Sequence, residues 1–182
     1  ENENYEKEAK KLLKGSNLIG EYLKACHQRY IGRDDVLILA KLATVSRHFE
    51  RGLSVVLYGS SSVGKSELFN TVLETVDKDA IERYTRTSAN YLLYNTTPIA
   101  HKIVLFNELH GAKETTHIIR TALSEGVLRL GTVIQGVPVE NYKSTEGTIF
   151  FSTFASGKLD WELDTRIIKV ELTYDDDLGR AV

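Results

Sequence analysis

Apolar positions recur along this chain with two periods, one helical and one extended, and the switch between them outlines the fold. Tyr5 to Lys14 is a lysine- and glutamate-rich amphipathic stretch. Asn17 then stands as a cap for a helix through Leu18, Tyr22, Leu23 and Cys26, which Gly32 ends. Asp34 or Asp35 is expected to cap the next helix. Its apolar residues Leu37, Leu39, Ala40, Leu42, Ala43 and Val45 form a wide face reaching toward Phe49 that should pack on a sheet. Beyond it, β-branched and apolar runs of strand length alternate with helical segments. Strand Leu53 to Tyr58 is followed by helix Lys65 to Val76, and strand Ile103 to Phe106 by helix Glu114 to Glu125. Such alternation predicts an α/β domain with a parallel sheet flanked by helices.

The next stretch breaks that rhythm. Val127 to Ile134 and Val137 to Tyr142 are two strand-like runs around Gln135-Gly136, which predicts a hairpin inserted before the strand Thr148 to Thr153. A final strand, Ile167 to Leu172, precedes the acidic end Asp175 to Asp177.

Length changes the picture only by bounding it: 182 residues, 42% hydrophobic, build one core, read as a helical lead-in over 1–50 and a compact unit over 51–182. The formal net charge of -2 excludes binding of nucleic acid by bulk positive charge and leaves local basic loops as the means. One cysteine, Cys26, excludes a disulfide framework and a multi-cysteine metal site, so a reducing, cytoplasmic setting is expected. The apolar runs are far below the roughly 20 residues of a membrane span, so no membrane partner is expected. His101, His110 and His117 do not make a zinc-protease spacing and are read as non-ligands. The chain starts at Glu1 and contains no methionine, which points to a piece of a longer protein.

The strongest chemical signal is Gly59-Ser60-Ser61-Ser62-Val63-Gly64-Lys65-Ser66, which fits G-x-x-x-x-G-K-[ST] without a mismatch between an apolar strand and a helix. A helix N-terminus offers unpaired N–H groups and partial positive charge to a phosphate. Nucleotide contacts are therefore expected from Gly59 through Glu67, with Lys65 reaching the β/γ-phosphates and Ser66 coordinating Mg²⁺.

Ile103-Val104-Leu105-Phe106-Asn107-Glu108 is an apolar strand ending in polar residues. Glu108 is expected to polarise the attacking water, and Asn107 to accept a hydrogen bond from a metal-bound water without adding charge. Ser152 and Thr153 close a further strand, and either a γ-phosphate sensor or plain backbone satisfaction explains them, Thr153 being the preferred sensor. Arg166 stands just before the last strand, where it reads either as an arginine finger or as a surface partner of Asp164 or Glu162.

These motifs together resemble the AAA+ superfamily, and within it the helicase-like ATPase domains associated with DNA primases of phages and mobile elements. The resemblance rests also on Lys11-Leu12-Leu13-Lys14, Arg83-Tyr84-Thr85, Leu123-Ser124-Glu125-Gly126-Val127-Leu128 and Trp161-Glu162-Leu163-Asp164-Thr165-Arg166. It implies a P-loop NTPase core that uses ATP and Mg²⁺, the metal held by Ser66, Asn107 and Glu108. It further implies a ring, expected to be a hexamer, in which Arg166 serves the neighbouring subunit, and a primase domain on the same or another chain. The chain is similar as well to minichromosome maintenance motors, whose hairpin before the sensor strand faces DNA. By that analogy Arg129, Gln135, Asn141 and Lys143 are the candidate contacts to single-stranded or forked DNA. The helical lid of many AAA+ proteins is largely absent after Asp177. The expected function is a ring-forming ATPase that moves on or unwinds DNA in phage or mobile-element replication, with an ATP-dependent switch or loader as the alternative.

Overall fold

The computed structural model describes residues 2–84, 89–106, 113–154 and 161–174. Its elements are, in order, α1 (Asn2–Lys14), α2 (Leu18–Cys26), α3 (Asp34–Ser46), β1 (Val55–Tyr58), α4 (Lys65–Leu73), a 3-10 turn at Lys78–Ala80, β2 (Ile81–Tyr84) and α5 (Ala89–Tyr94). Then come β3 (Ile103–Phe106), α6 (Lys113–Glu125), β4 (Val127–Ile134), β5 (Val137–Ser144), β6 (Ile149–Phe154), α7 (Trp161–Asp164) and β7 (Ile168–Glu171).

Five strands form one sheet in the order β2-β3-β6-β1-β7, and every pair in it is parallel. Because side chains alternate across a strand, each strand feeds two cores. Val55, Leu57, Ile103, Leu105, Ile149 and Phe151 join Cys26, Val36, Leu37, Ala40 and Ala43 of the lead-in and Leu68, Phe69 and Val72 of α4. Val104, Phe106 and Phe150 face the other way, toward Leu92, Ile118, Ile119, Ala122 and Leu163. Stacked rings anchor both sides: Phe69 on Phe151 at 4.6 Å and Phe106 near Phe150 at 6.2 Å. This α/β architecture fits a P-loop NTPase.

Packing of the lead-in on the core runs through α2 and α3, whereas the described side chains of α1 are exposed. Tyr22 adds a hydrogen bond from its hydroxyl to the Leu37 carbonyl at 2.9 Å.

Several boundaries differ from the sequence expectation. The cap of α3 is Arg33, in the left-handed region at φ 57°, and no side chain caps the helix. Asp34 instead binds His27 Nε2 at 2.7 Å, so the acidic pair sits in the first turn, where it complements the helix dipole. α3 stops at Ser46 because that hydroxyl turns back to the Ala43 carbonyl and accepts the N–H of Leu53. α4 ends at Leu73, short of Val76. β2 and α5 were not anticipated.

The hairpin is a separate two-stranded sheet between α6 and β6. Gln135 at φ 50° and Gly136 at φ 80° give the two positive-φ positions that a tight hairpin turn needs. No helix among the described residues is long and apolar enough to cross a membrane.

Candidate functional site

The phosphate loop leaves β1 at its carboxyl end and enters α4, at the sheet edge where α/β folds bind ligands. Gly59 has φ 147°, and a Cβ there would stand 2.1 Å from the Leu172 carbonyl oxygen, so β7 passes too close for any side chain. Ser62 at φ 67° and Gly64 at φ 85° bend the loop into the helix.

The Gly64 carbonyl accepts the first helical bond, from Leu68 N–H at 2.9 Å. No side chain caps α4, so the amide groups of its first turn stay available to an anion. Lys65 is buried, and its ammonium donates to the carbonyl oxygens of Gly59 at 2.8 Å and Ser60 at 2.6 Å. An ammonium has three donors, so one remains for a phosphate oxygen. Ser60, Ser61, Ser62 and Ser66 are exposed, and Val63 is partly buried against the core. The exposed Ser66 hydroxyl, beside phosphate-binding amides, is the hard oxygen donor that Mg²⁺ takes together with phosphate oxygens. The residues present thus fit that ion, and among the described residues Ser66 is the one that would hold it.

Residues outside the motif hold this loop, and sequence spacing did not reveal them. The connection between α2 and α3 lies against it: Arg29 pairs with Glu67 of α4 and with Glu74, the residue that follows the helix. The Tyr30 ring abuts Gly64, where a Cβ would come within 3.1 Å of it. Burial raises the Tyr30 phenol above its ordinary value, partly offset by Arg33, so it stays neutral near pH 7. Arg33 Nη2 reaches the Thr173 carbonyl at 2.5 Å, tying the same connection to the end of β7. Glu67 therefore enters the site as an anchor paired with Arg29.

Asn107 and Glu108 lie outside the described residues; β3 ends at Phe106. Thr153 is buried near the carboxyl end of β6, in register with Leu57 of β1, and Ser152 faces Phe106 of β3. Strand β6 thus stands between the strand that launches the phosphate loop and the strand that precedes Asn107.

Arg166 sits at the amino end of the strands, opposite the end that carries the phosphate loop. Ile168 pairs with Val55 at the amino end of β1, so Arg166 is on the order of 20 Å from the phosphate loop at strand spacing. Its guanidinium is exposed and binds Ser124 Oγ at 2.6 Å and the Glu162 carbonyl, while Asp164 pairs with Lys169 at 2.6 Å.

On the hairpin, Arg129 is exposed with its guanidinium 5.8 Å from the centre of the Tyr142 ring, and Gln135 is exposed at the turn. Asn141 is half-buried. The Lys143 ammonium is turned inward onto the Leu92 carbonyl at 2.9 Å, and burial lowers its pKa. The structure therefore does not bring the four hairpin candidates to one open face.

Comparison with known proteins gives two findings. The family described as MTBMA_p00010 P-loop domain matches residues 3–133, which include the phosphate loop and strands β1, β2 and β3. The tRNA modification GTPase MnmE of Borrelia turicatae (strain 91E135) is 29% identical over 105 residues, 57% of this chain. The matched stretch covers 21% of that protein's length.

Proposed function

The chain belongs to the MTBMA_p00010 P-loop domain family, and from that premise we propose that it is an ATP hydrolase that assembles into a ring and moves along DNA. Its setting is replication of a phage or mobile element, and its ring is a hexamer, as the resemblance to AAA+ helicase-like domains implies. The observation that carries this reading is the position of β6 between β1 and β3, with a hairpin inserted just before it. That arrangement supports Thr153 as a sensor beside the γ-phosphate and the hairpin as the element offered to DNA.

In this reading Lys65 and the first-turn amides of α4 hold the β- and γ-phosphates, and the charge that grows on the phosphoryl oxygens is stabilised by groups already in place. Ser66, Asn107 and Glu108 would hold Mg²⁺, which would supply charge neutralisation of the phosphates. Glu108 orients the attacking water. Arg166, too far from its own phosphate loop, serves the loop of a second copy, so turnover depends on assembly. A primase domain, on the same or another chain, is the partner that this setting implies.

A second reading, an ATP-dependent switch or loader, is favoured by one observation. With Lys143 turned onto Leu92, Arg129 is the hairpin's one exposed basic side chain, which is little charge for gripping a DNA backbone.

The test is steady-state hydrolysis of ATP and of GTP with Mg²⁺ over a range of protein concentrations, with and without single-stranded DNA, using Lys65→Ala as the blank. The motor reading expects cooperative dependence on protein concentration, a preference for ATP and stimulation by DNA. Hydrolysis of GTP alone, or turnover indifferent to DNA, would overturn it. Strand displacement then separates motor from switch.

A further inference from the structure

Ser124 lies in the last turn of α6, where its Oγ accepts from Arg166 Nε at 2.6 Å. Arg166 Nη1 donates to the Glu162 carbonyl and, at 3.2 Å, to Thr165 Oγ1. Nη2 makes no hydrogen bond among the described residues, and the side chain is exposed. The guanidinium is thus anchored through Nε and Nη1, which fixes its plane and leaves Nη2 to donate to an anion such as a phosphate oxygen.

The turn that carries Ser124 is held by both legs of the hairpin. On one side α6 runs through Gly126, whose N–H donates to Ala122 O at 3.1 Å, directly into β4. On the other, the first residue after β5 is Thr145, which is buried, and its Oγ1 donates to Ala122 O at 2.9 Å while its N–H donates to Gly126 O at 2.9 Å. A second tie joins the same helix to α7, the Arg120–Glu162 ion pair. Moving the hairpin as a body therefore moves the Ala122–Gly126 turn, and with it the hydroxyl that orients Arg166.

We propose that Ser124 is the positioning residue through which the β4–β5 hairpin sets the orientation of Arg166, so that nucleic acid on the hairpin controls turnover in the neighbouring subunit. The inference rests on the reading of Arg166 as a finger given to a second copy. Ser124 touches neither nucleotide nor DNA in this scheme. Its hydroxyl acts only through the arginine, and a displacement of about 1 Å at such a group is enough to cost up to a hundredfold in rate.

The experiment measures ATP hydrolysis by the wild-type chain, Ser124→Ala, Ser124→Thr and Arg166→Ala, with Mg²⁺, with and without a single-stranded poly-dT oligonucleotide. Ser124→Ala is expected to lower kcat with the oligonucleotide by about tenfold and to shrink the ratio of stimulated to unstimulated rate, while the KM for ATP stays put. Ser124→Thr keeps the hydroxyl and is expected to restore the stimulation. Wild-type stimulation in Ser124→Ala, or loss of stimulation in Ser124→Thr, overturns the proposal. So does a fall of both rates together with a changed KM, which marks a purely structural role. An inactive Arg166→Ala beside a normally stimulated Ser124→Ala places the error in the coupling alone. If Arg166→Ala hydrolyses as the wild type does, the finger reading is at fault and the coupling falls with it. A wild type that hydrolyses ATP but ignores the oligonucleotide also overturns it.

Discussion

Gly59 lies directly beneath the Leu172 carbonyl, 2.1 Å from where its Cβ would be, so the last strand of the sheet closes over the opening of the phosphate loop. Gly59→Ala must push that backbone aside or distort the loop, at φ 147°, where L-residues are strained. It is expected to lower stability by about 2–4 kcal/mol and to weaken nucleotide binding. Urea unfolding and a fluorescent-nucleotide titration check both. Gly131→Ala serves as the control, since nothing lies within 4 Å of that position and no positive φ is required there. It should change stability by less than about 1 kcal/mol, in the favourable direction.

Lys65 and Arg166 stand at opposite ends of the parallel strands, so their losses should complement each other. Each alanine variant alone is expected to lose at least about a hundredfold in hydrolysis. Mixed in equal amounts under conditions where they co-assemble, Lys65→Ala and Arg166→Ala subunits should recover part of the activity, because some junctions then pair an intact loop with an intact arginine. A mixture no better than its parts would rule out catalysis in trans.

Phe69 and Phe151 stack at 4.6 Å, and both are fully buried between α4 and the central strand. Phe69→Ala should cost about 3–5 kcal/mol by leaving a cavity that the parallel sheet cannot collapse into. Tyr5→Ala, at a side chain that is 67% exposed, should cost almost nothing. Chemical denaturation of the two variants gives the comparison.

Tyr22 donates its hydroxyl to Leu37 O, and burial is the main reason that its pKa is raised above 10.0. The sign follows directly: the unfolded phenol ionises near its ordinary value while the folded one keeps its proton. The folded state therefore binds more protons above pH 10, and this contribution to stability is present below that pH and lost as pH rises. Tyr22→Phe, which cannot ionise, should lose less stability than the wild type between about pH 8 and about pH 10.5, measured as urea midpoints.

Much of the site was legible because its pieces are local. The run from Leu53 to Ser66 carries strand, loop and helix in one stretch, and Gln135-Gly136 marks its own turn. Less visible was β2, Ile-Glu-Arg-Tyr at the sheet edge, where Glu82 binds Lys102 at 2.7 Å and the strand needs fewer apolar residues to be held. Hidden altogether was the brace formed by Arg29, Tyr30 and Arg33, since Arg33 meets Thr173 only after the chain has folded across 140 positions. The cap of α3 misled for a related reason: Asp34 has a histidine partner seven residues away, which no capping rule weighs. Lys143 is a candidate DNA contact by analogy with hairpins that face DNA, and only the path of the hairpin shows its ammonium meeting the Leu92 carbonyl.

Strand β1 pairs on one side with β6 and on the other with β7, Val55 facing Phe151 and Ile168. During synthesis it emerges with neither neighbour yet made, and at ordinary elongation rates the wait is on the order of ten seconds. Until then its two hydrogen-bonding edges are bare and the sheet has no middle. Such non-local pairing makes folding slow and the nascent chain prone to aggregate, so the order of strands that frames the nucleotide site also exposes the newborn protein to chaperones.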